Sequence, residues 1–458
     1  MLQRLRLIRA PLLLLGLQGG AVISTAIHPF MPFILSACLI TTLIVLFYSQ
    51  VLLVLLADVG LVKGALIEQF PIFETIDFTV LLSVLILFAL AWKLTDPLVR
   101  KRVMRYRVII AAFAVWAVWM IISSLYAPRL DWAFEKSLRF ALFTTILFLG
   151  PLVLIQRREE SRTLLNIFLG IGFLGAVFLV GQGWSALGST SSLQSVVRLT
   201  ILTANPIAAG RILSICAAMA TILIITKMGR ARYWGPLLIL FLVTSLFTGS
   251  RGPVLSFIVA VSLLGLFLGG KARRRTVYYG VVIAAVIMLV FILSPEELTS
   301  RYRLYMEGEL AATQQGLMVL NTVNYRIMLW SKALVLWTQD LPHLLLGTGT
   351  AGYIMAFPWR DMEYPHNLPL ELLAEFGLIG LGVFSLHILL ITKQIYHRCR
   401  LSLHREEMQW LIGSLTMFFA TLVSGDLNDN RMLWFFLGGL LATMNINTTI
   451  HQPSSEHA

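Results

Sequence analysis

Apolar runs near the length of a bilayer crossing recur from one end of this chain to the other, and they leave it few folds. A hydrocarbon core about 30 Å thick takes about 20 helical residues to span. Runs of that order fall at residues 12–28, 32–57, 78–94, 106–126, 138–155, 163–182, 205–226, 235–249, 253–269, 276–293, 368–392, 409–424 and 430–447. They are continuous, whereas a membrane barrel alternates apolar and polar residues. Only 13% of the residues are charged, against about a quarter in a soluble domain. The chain reads as an all-α polytopic membrane protein. The first run is followed at once by a second with no cleavage site between them, so it reads as an uncleaved anchor and not as a signal peptide.

Orientation follows from the lysines and arginines, which short cytoplasmic loops retain. Segments 1–11, 93–107, 156–163, 227–234, 271–276, 393–408 and the tail hold 23 of the 36 Lys and Arg but only 6 of the 23 acids. The net charge of +13 is thus a topology signal and gives no support to nucleic-acid binding; Lys271 to Arg275 is an anchor loop. This alternation puts the long polar stretch Ser294 to Tyr364 outside the cytoplasm and the C-terminus inside. Residues 12–57 must then cross an odd number of times, which gives about 12 spans, or 14 as the alternative. The expected organisation is one membrane domain: helices in 1–293, a large external loop at 294–365 holding short amphipathic helices, helices in 366–447, and a cytoplasmic tail at 448–458.

Several functional classes drop out. The three cysteines, Cys38, Cys216 and Cys399, are isolated and imply neither disulfides nor a metal site. No Walker loop, HExxH or EF-hand pattern occurs, so no cofactor or metal is expected and ATP-driven transport has no sequence support.

The chemistry concentrates where polar sequence meets apolar sequence. Pro365-His-Asn-Leu-Pro-Leu-Glu-Leu-Leu-Ala-Glu-Phe-Gly-Leu-Ile-Gly-Leu381 sets His366 at a helix entrance, with Asn367 beside it, Glu371 one turn on, and Glu375 deeper, where a charged carboxylate needs a partner, expected to be an arginine. Imidazole can take a proton from a hydroxyl during attack. Arginine is costly near hydrocarbon, so Arg198, Arg211, Arg251 and Arg326 at external mouths of spans each invite a role. Arg251 lies in the tight turn Thr248-Gly-Ser-Arg-Gly-Pro253, where Ser250 adds a hydroxyl. Guanidinium forks match phosphate oxygens in paired hydrogen bonds, and two or three of them can neutralise a diphosphate. The same arginines, with Arg431, can instead pair with Glu371, Glu375, Asp426 or Asp429 and fasten helices together. In the loop, Arg326, Trp330, Leu334 and Trp337 recur one turn apart over Asn324 to Asp340, an amphipathic helix expected along the membrane surface with its tryptophans at the headgroups. Gly347, Gly349 and Gly352 mark an irregular turn.

These motifs, His366-Asn367 with the Glu and Gly pattern to Leu381, the Ser250-Arg251-Gly252 turn, and Arg326 with Trp330, resemble the O-antigen ligase and Wzy polymerase superfamily, which also includes bacterial O-linked oligosaccharyltransferases. The resemblance covers about Asn205 to Leu381 in detail. It implies a metal-independent, inverting glycosyltransferase of the GT-C type in the bacterial inner membrane, working at the periplasmic face on undecaprenyl-diphosphate-linked glycans. By that analogy His366 is the general base, and Arg251 and Arg326 hold the diphosphate. Arg198, Arg211, Asn367, Glu375 and Ser250 are further substrate-binding candidates. The acceptor implied is lipid A-core for a ligase, a second lipid-linked glycan for a polymerase, or a protein for an oligosaccharyltransferase. The ligase is narrowly preferred, and the extended segment 58–77 keeps the polymerase close. A transporter of an anionic lipid or polysaccharide is the reading from another class; it requires ionisable residues through the membrane depth, whereas these gather at one face.

Overall fold

The computed structural model describes residues 48–70, 72–75, 77–188, 201, 205–293, 314–356, 364–399 and 403–448. Arg198, His28, Cys38, the run at 12–28 and nearly all of the tail lie outside them. The described residues are helical and contain no strand. In chain order the helices are α1 (Tyr48–Ala57), α2 (Val59–Gln69), α3 (Phe78–Leu94), α4 (Pro97–Tyr126), α5 (Leu130–Leu154), α6 (Arg158–Gly188), α7 (Pro206–Ile225) and α8 (Ala231–Phe247). They continue as α9 (Arg251–Phe267), α10 (Gly270–Leu293), α11 (Gln314–Trp337), α12 (Leu341–Leu346), α13 (Leu368–Cys399), α14 (Arg405–Thr421) and α15 (Arg431–Thr448). Five are long and apolar enough to cross a membrane, namely α4, α5, α6 through Gln182, α7 and α13 through Arg398; α1, α3, α8, α9 and most of α15 are shorter apolar helices.

Helix α7 forms the centre. Asn205 caps it by accepting from the Ile207 N–H at 2.9 Å, Pro206 supplies the preset first turn, and every residue from Ala209 to Ile225 is buried. Its small residues let neighbours approach closely, and α8, α9 and α14 pack around it. A Cβ on Gly210 would stand 3.3 Å from the Ser250 Cβ and 3.3 Å from Pro253, so the absent side chain draws the turn ahead of α9 against α7.

The structure departs from the sequence reading in three places. Helix α5 begins at Leu130, eight residues before the expected start, because Asp131, Glu135, Lys136 and Arg139 dilute the apolar signal of its first turns. The helix expected over Asn324 to Asp340 is present but begins ten residues earlier, as α11 (Gln314–Trp337). Trp330 on that helix is half-buried: its indole N–H donates to the Pro365 carbonyl at 3.1 Å, beside a small core of Leu329, Ala333, Leu336, Tyr353 and Ala374.

The third departure is a break inside α13 at Gly377, where φ is 61° and ψ −163°. Backbone leaving a helix in an apolar setting must find other hydrogen-bond partners. Here the Thr348 N–H donates to the Ala374 carbonyl and the Gly349 N–H to the Glu375 carbonyl, both at 2.9 Å. A Cβ on Gly347 would overlap the backbone of Glu375 and Phe376, and one on Gly377 that of Leu345 and Leu346. The glycine turn thus serves a backbone-on-backbone contact. Since that φ/ψ region is open essentially to glycine alone, Gly377→Ala is expected to cost at least about 1–3 kcal/mol, read as a lowered thermal midpoint of the detergent-solubilised protein.

Candidate functional site

His366 is held from both sides. Before it, the buried Pro365 accepts the Trp330 indole. After it, Asn367 caps α13 by accepting from the Leu370 N–H at 3.1 Å, while its own amide donates to the Leu422 carbonyl at 2.8 Å. His366 itself adopts φ 56°, the left-handed region, which non-glycine residues enter rarely and often at functional sites. Its ring lies 4.3 Å from the Tyr364 ring at a 52° tilt.

Tyr364, which sequence reading passes over, links the parts. Its hydroxyl donates to Asp429 Oδ2 at 3.2 Å, and burial, with Asp429 and Asp426 nearby, pushes the phenol well above its ordinary value while Arg211 opposes the shift. Arg326 is under the influence of the same ring. Burial first, and then the neighbouring Arg251, hold its guanidinium below its usual value, with Tyr364 opposing. Arg251 sits in the first turn of α9, directly after Ser250. Two guanidinium groups within repulsive reach of each other favour an anion between them.

Arg211 reaches the same region from within α7. Its Nη2 donates to the Ser424 carbonyl at 2.7 Å and its Nη1 to the Asp429 carbonyl at 3.0 Å, so it fastens the turn before α15 as well as charging the site. Its Nε and the hydroxyls of Ser250 and Ser424 are buried without a hydrogen-bond partner among the described residues. A cavity of about 160 Å³ runs beneath, lined by Asp58, Asn205, Arg211, Tyr364, Asp429 and Arg431 among others. Asp58 is 3% exposed, and burial pushes its carboxyl well above the usual carboxylate range against the pull of Arg431.

The partner of Glu375 is not an arginine, as the sequence reading expects, but Lys136. Its Nζ donates to Glu371 Oε1 at 2.6 Å and to both Glu375 oxygens at 2.8 and 3.0 Å. Glu371 also accepts from the Leu427 N–H at 3.3 Å, and Glu375 from the Ala351 N–H at 3.0 Å. Glu371, one turn beyond His366, is thus committed to this cluster. Its physical reason is the early start of α5, which carries Lys136 into the bundle beside α13. Burial and Asp429 hold the nearby Asp426 carboxyl above its ordinary range. A second cavity, about 280 Å³, is lined by Trp132, Lys136, Glu375, Asp426 and Asn428 and shares Tyr364 and Asp429 with the first.

Other histidines lie elsewhere. His343 pairs with Asp340 at 2.6 Å, and His387 is packed among Phe113, Phe148 and Trp434. The structure therefore brings His366, Arg326 and Arg211 around Tyr364, with Arg251 in electrostatic reach of Arg326, and gives Glu375 and Asn367 positions behind them. The arrangement can bind an anion and accept a proton next to it.

Residues 236–385, about a third of the chain, match the O-antigen ligase family. The resemblance carried by the motifs is shown for that segment, which contains Ser250, Arg251, Arg326, His366, Asn367 and Glu375; Arg198 and Arg211 precede it. The match supports glycan transfer of the ligase or polymerase type, lipid-linked glycans as substrates in general, and, with the apolar helices, a multi-pass membrane protein. No curated protein matches the chain.

Proposed function

We propose that this protein, with its O-antigen ligase segment, moves a glycan from undecaprenyl diphosphate to an acceptor hydroxyl, as an inverting glycosyltransferase that needs no metal. The acceptor we favour is lipid A-core. In this reading His366 takes the acceptor proton, the acceptor oxygen bonds to the anomeric carbon, and the bond from that carbon to the phosphate oxygen breaks with its electron pair going to the diphosphate. Arg251 and Arg326 hold the diphosphate and stabilise the charge it gains. Ser250 and Arg211 complete the phosphate side, and Asn367 and Glu375 fix the helix entrance that carries the base. Arg198 is proposed for the same phosphate side.

The observation that carries this reading is the Tyr364 ring packed on the His366 ring, 4.3 Å between centroids, with Arg326 in electrostatic reach of both Tyr364 and Arg251. Neighbouring guanidinium groups suit a leaving group of growing negative charge. The wider frame belongs to the same proposal: about 12 spans in a bacterial inner membrane, the chemistry facing the periplasm, and the 294–365 segment as an external insertion between helices 1–293 and 366–447, with 448–458 in the cytoplasm.

The test is donor binding. Arg251→Ala and Arg326→Ala are each expected to weaken retention of an undecaprenyl-diphosphate oligosaccharide by about 10–100-fold, the worth of a hydrogen bond to a charged group. Donor affinity unchanged in both variants would remove the diphosphate clamp. Chelators are expected to leave transfer unchanged, measured as product formed with and without EDTA.

A further inference from the structure

At the other end of α13 lies a cavity of about 450 Å³ that the transfer reading does not use. It opens where the start of α4 meets the C-terminal ends of α13 and α15. Its basic lining residues Arg105, Lys393, His397 and Arg398 belong to segments 93–107 and 393–408, which the distribution of lysines and arginines assigns to the cytoplasm, whereas His366 follows the stretch read as external. On that topology the cavity is at the membrane face opposite His366.

Its chemistry is two-part. Arg105, Lys393 and Arg398 line it together with His397, and no carboxylate is among the described residues that line it. Arg398 is gripped from behind by Glu407 through bonds of 2.9 and 3.1 Å, and Arg105 is steadied by Asn445 Oδ1 at 2.9 Å. Lys393 and His397 are exposed and share one face of α13, four residues apart. Below these groups the wall turns apolar with Ile109, Leu390 and Met444. Val108 on the same wall is 59% exposed, and Leu386 and Leu389 on α13 are 55% and 62% exposed, a surface suited to acyl chains.

We infer that this cavity binds the headgroup of an anionic glycerophospholipid of the surrounding bilayer. The phosphate sits among Arg105, Lys393 and His397, and the acyl chains run along the apolar wall. Basic pockets between membrane helices take anionic headgroups in this way, each Lys or Arg contributing about 1 kcal/mol. A zwitterionic lipid carries its own cation into the basic rim and is disfavoured. A soluble phosphate lacks the chains that the wall accepts. This inference stands apart from glycan transfer and does not depend on it.

The experiment uses the full-length protein in zwitterionic detergent, with lipid retention counted by native mass spectrometry. Phosphatidylglycerol, phosphatidylcholine with the same chains, and glycerol phosphate are added in turn. Selective retention of one phosphatidylglycerol is expected. Lys393→Gln should bind it about fivefold more weakly and Arg105→Gln with Lys393→Gln about 25-fold, while Lys393→Arg binds as the parent does. Because Lys393 is exposed, its single substitution tests the site even if the double variant folds poorly. Equal retention of phosphatidylcholine, or undiminished binding by Lys393→Gln, would overturn the inference. Competition by glycerol phosphate as strong as that of the intact lipid would overturn it as well, by marking a site for soluble anions.

Discussion

His366→Ala is expected to cut glycan transfer by about 10²–10⁴-fold, the usual contribution of a positioned general base, with donor retention and thermal midpoint close to those of the parent. The separation is expected because the residues on either side of His366 fix the backbone there. Pro365 accepts the Trp330 indole, Asn367 caps α13, and alanine inherits the left-handed φ of 56°. What alanine loses is the imidazole beside Tyr364. His366→Asn is the stricter control, since asparagine tolerates that backbone region better than most residues and cannot serve as the base. Both variants should bind donor and transfer little. Donor retention lost in both would assign His366 to substrate binding instead.

Lys136→Met carries the second large effect, and it falls on stability. Lys136 is the cation that holds Glu371 and Glu375, whose side chains are 0% and 1% exposed. Removing one partner of a buried ion pair typically costs about 3–5 kcal/mol, because the remaining charge is left uncompensated. Two carboxylates are stranded here, so the variant should show a strongly lowered thermal midpoint and poor recovery from the membrane. Replacing the whole cluster is a different matter, since matched apolar or neutral groups often restore stability. Lys136→Met with Glu371→Gln and Glu375→Gln should recover much of the loss. An unchanged midpoint for Lys136→Met alone would show that the cluster does not hold α5 to α13.

Lys136 also explains where the sequence stops being legible. The helical class follows from the apolar runs, because length and composition are local properties, and α4, α6, α7 and α13 lie over runs visible in the chain. The start of α5 is hidden because Lys136, one of the charges that obscure it, is satisfied by α13, and a partner 239 residues away leaves no local trace. The break at Gly377 is hidden for a related reason: the carbonyls it frees are taken by the N–H groups of Thr348 and Gly349, which sequence reading sees only as part of a glycine-rich turn. The arginines and His366 stand out as expensive residues at span mouths. Tyr364 does not, since a tyrosine at a membrane edge is ordinary; its position two residues before His366 is the one signal it gives. Arg211 divides between roles, charging the site while fastening the turn at Ser424 and Asp429.

Glycan transfer by the purified protein tests the central claim most directly, with a defined undecaprenyl-diphosphate oligosaccharide offered first alone and then with lipid A-core. The account predicts product only when lipid A-core is present, and none from His366→Ala although that variant still binds the donor. Longer glycans from the donor alone would move the acceptor assignment to a second lipid-linked glycan and keep the chemistry. A parent protein that retains the donor yet transfers to neither acceptor, or a His366→Ala variant as active as the parent, would contradict the account.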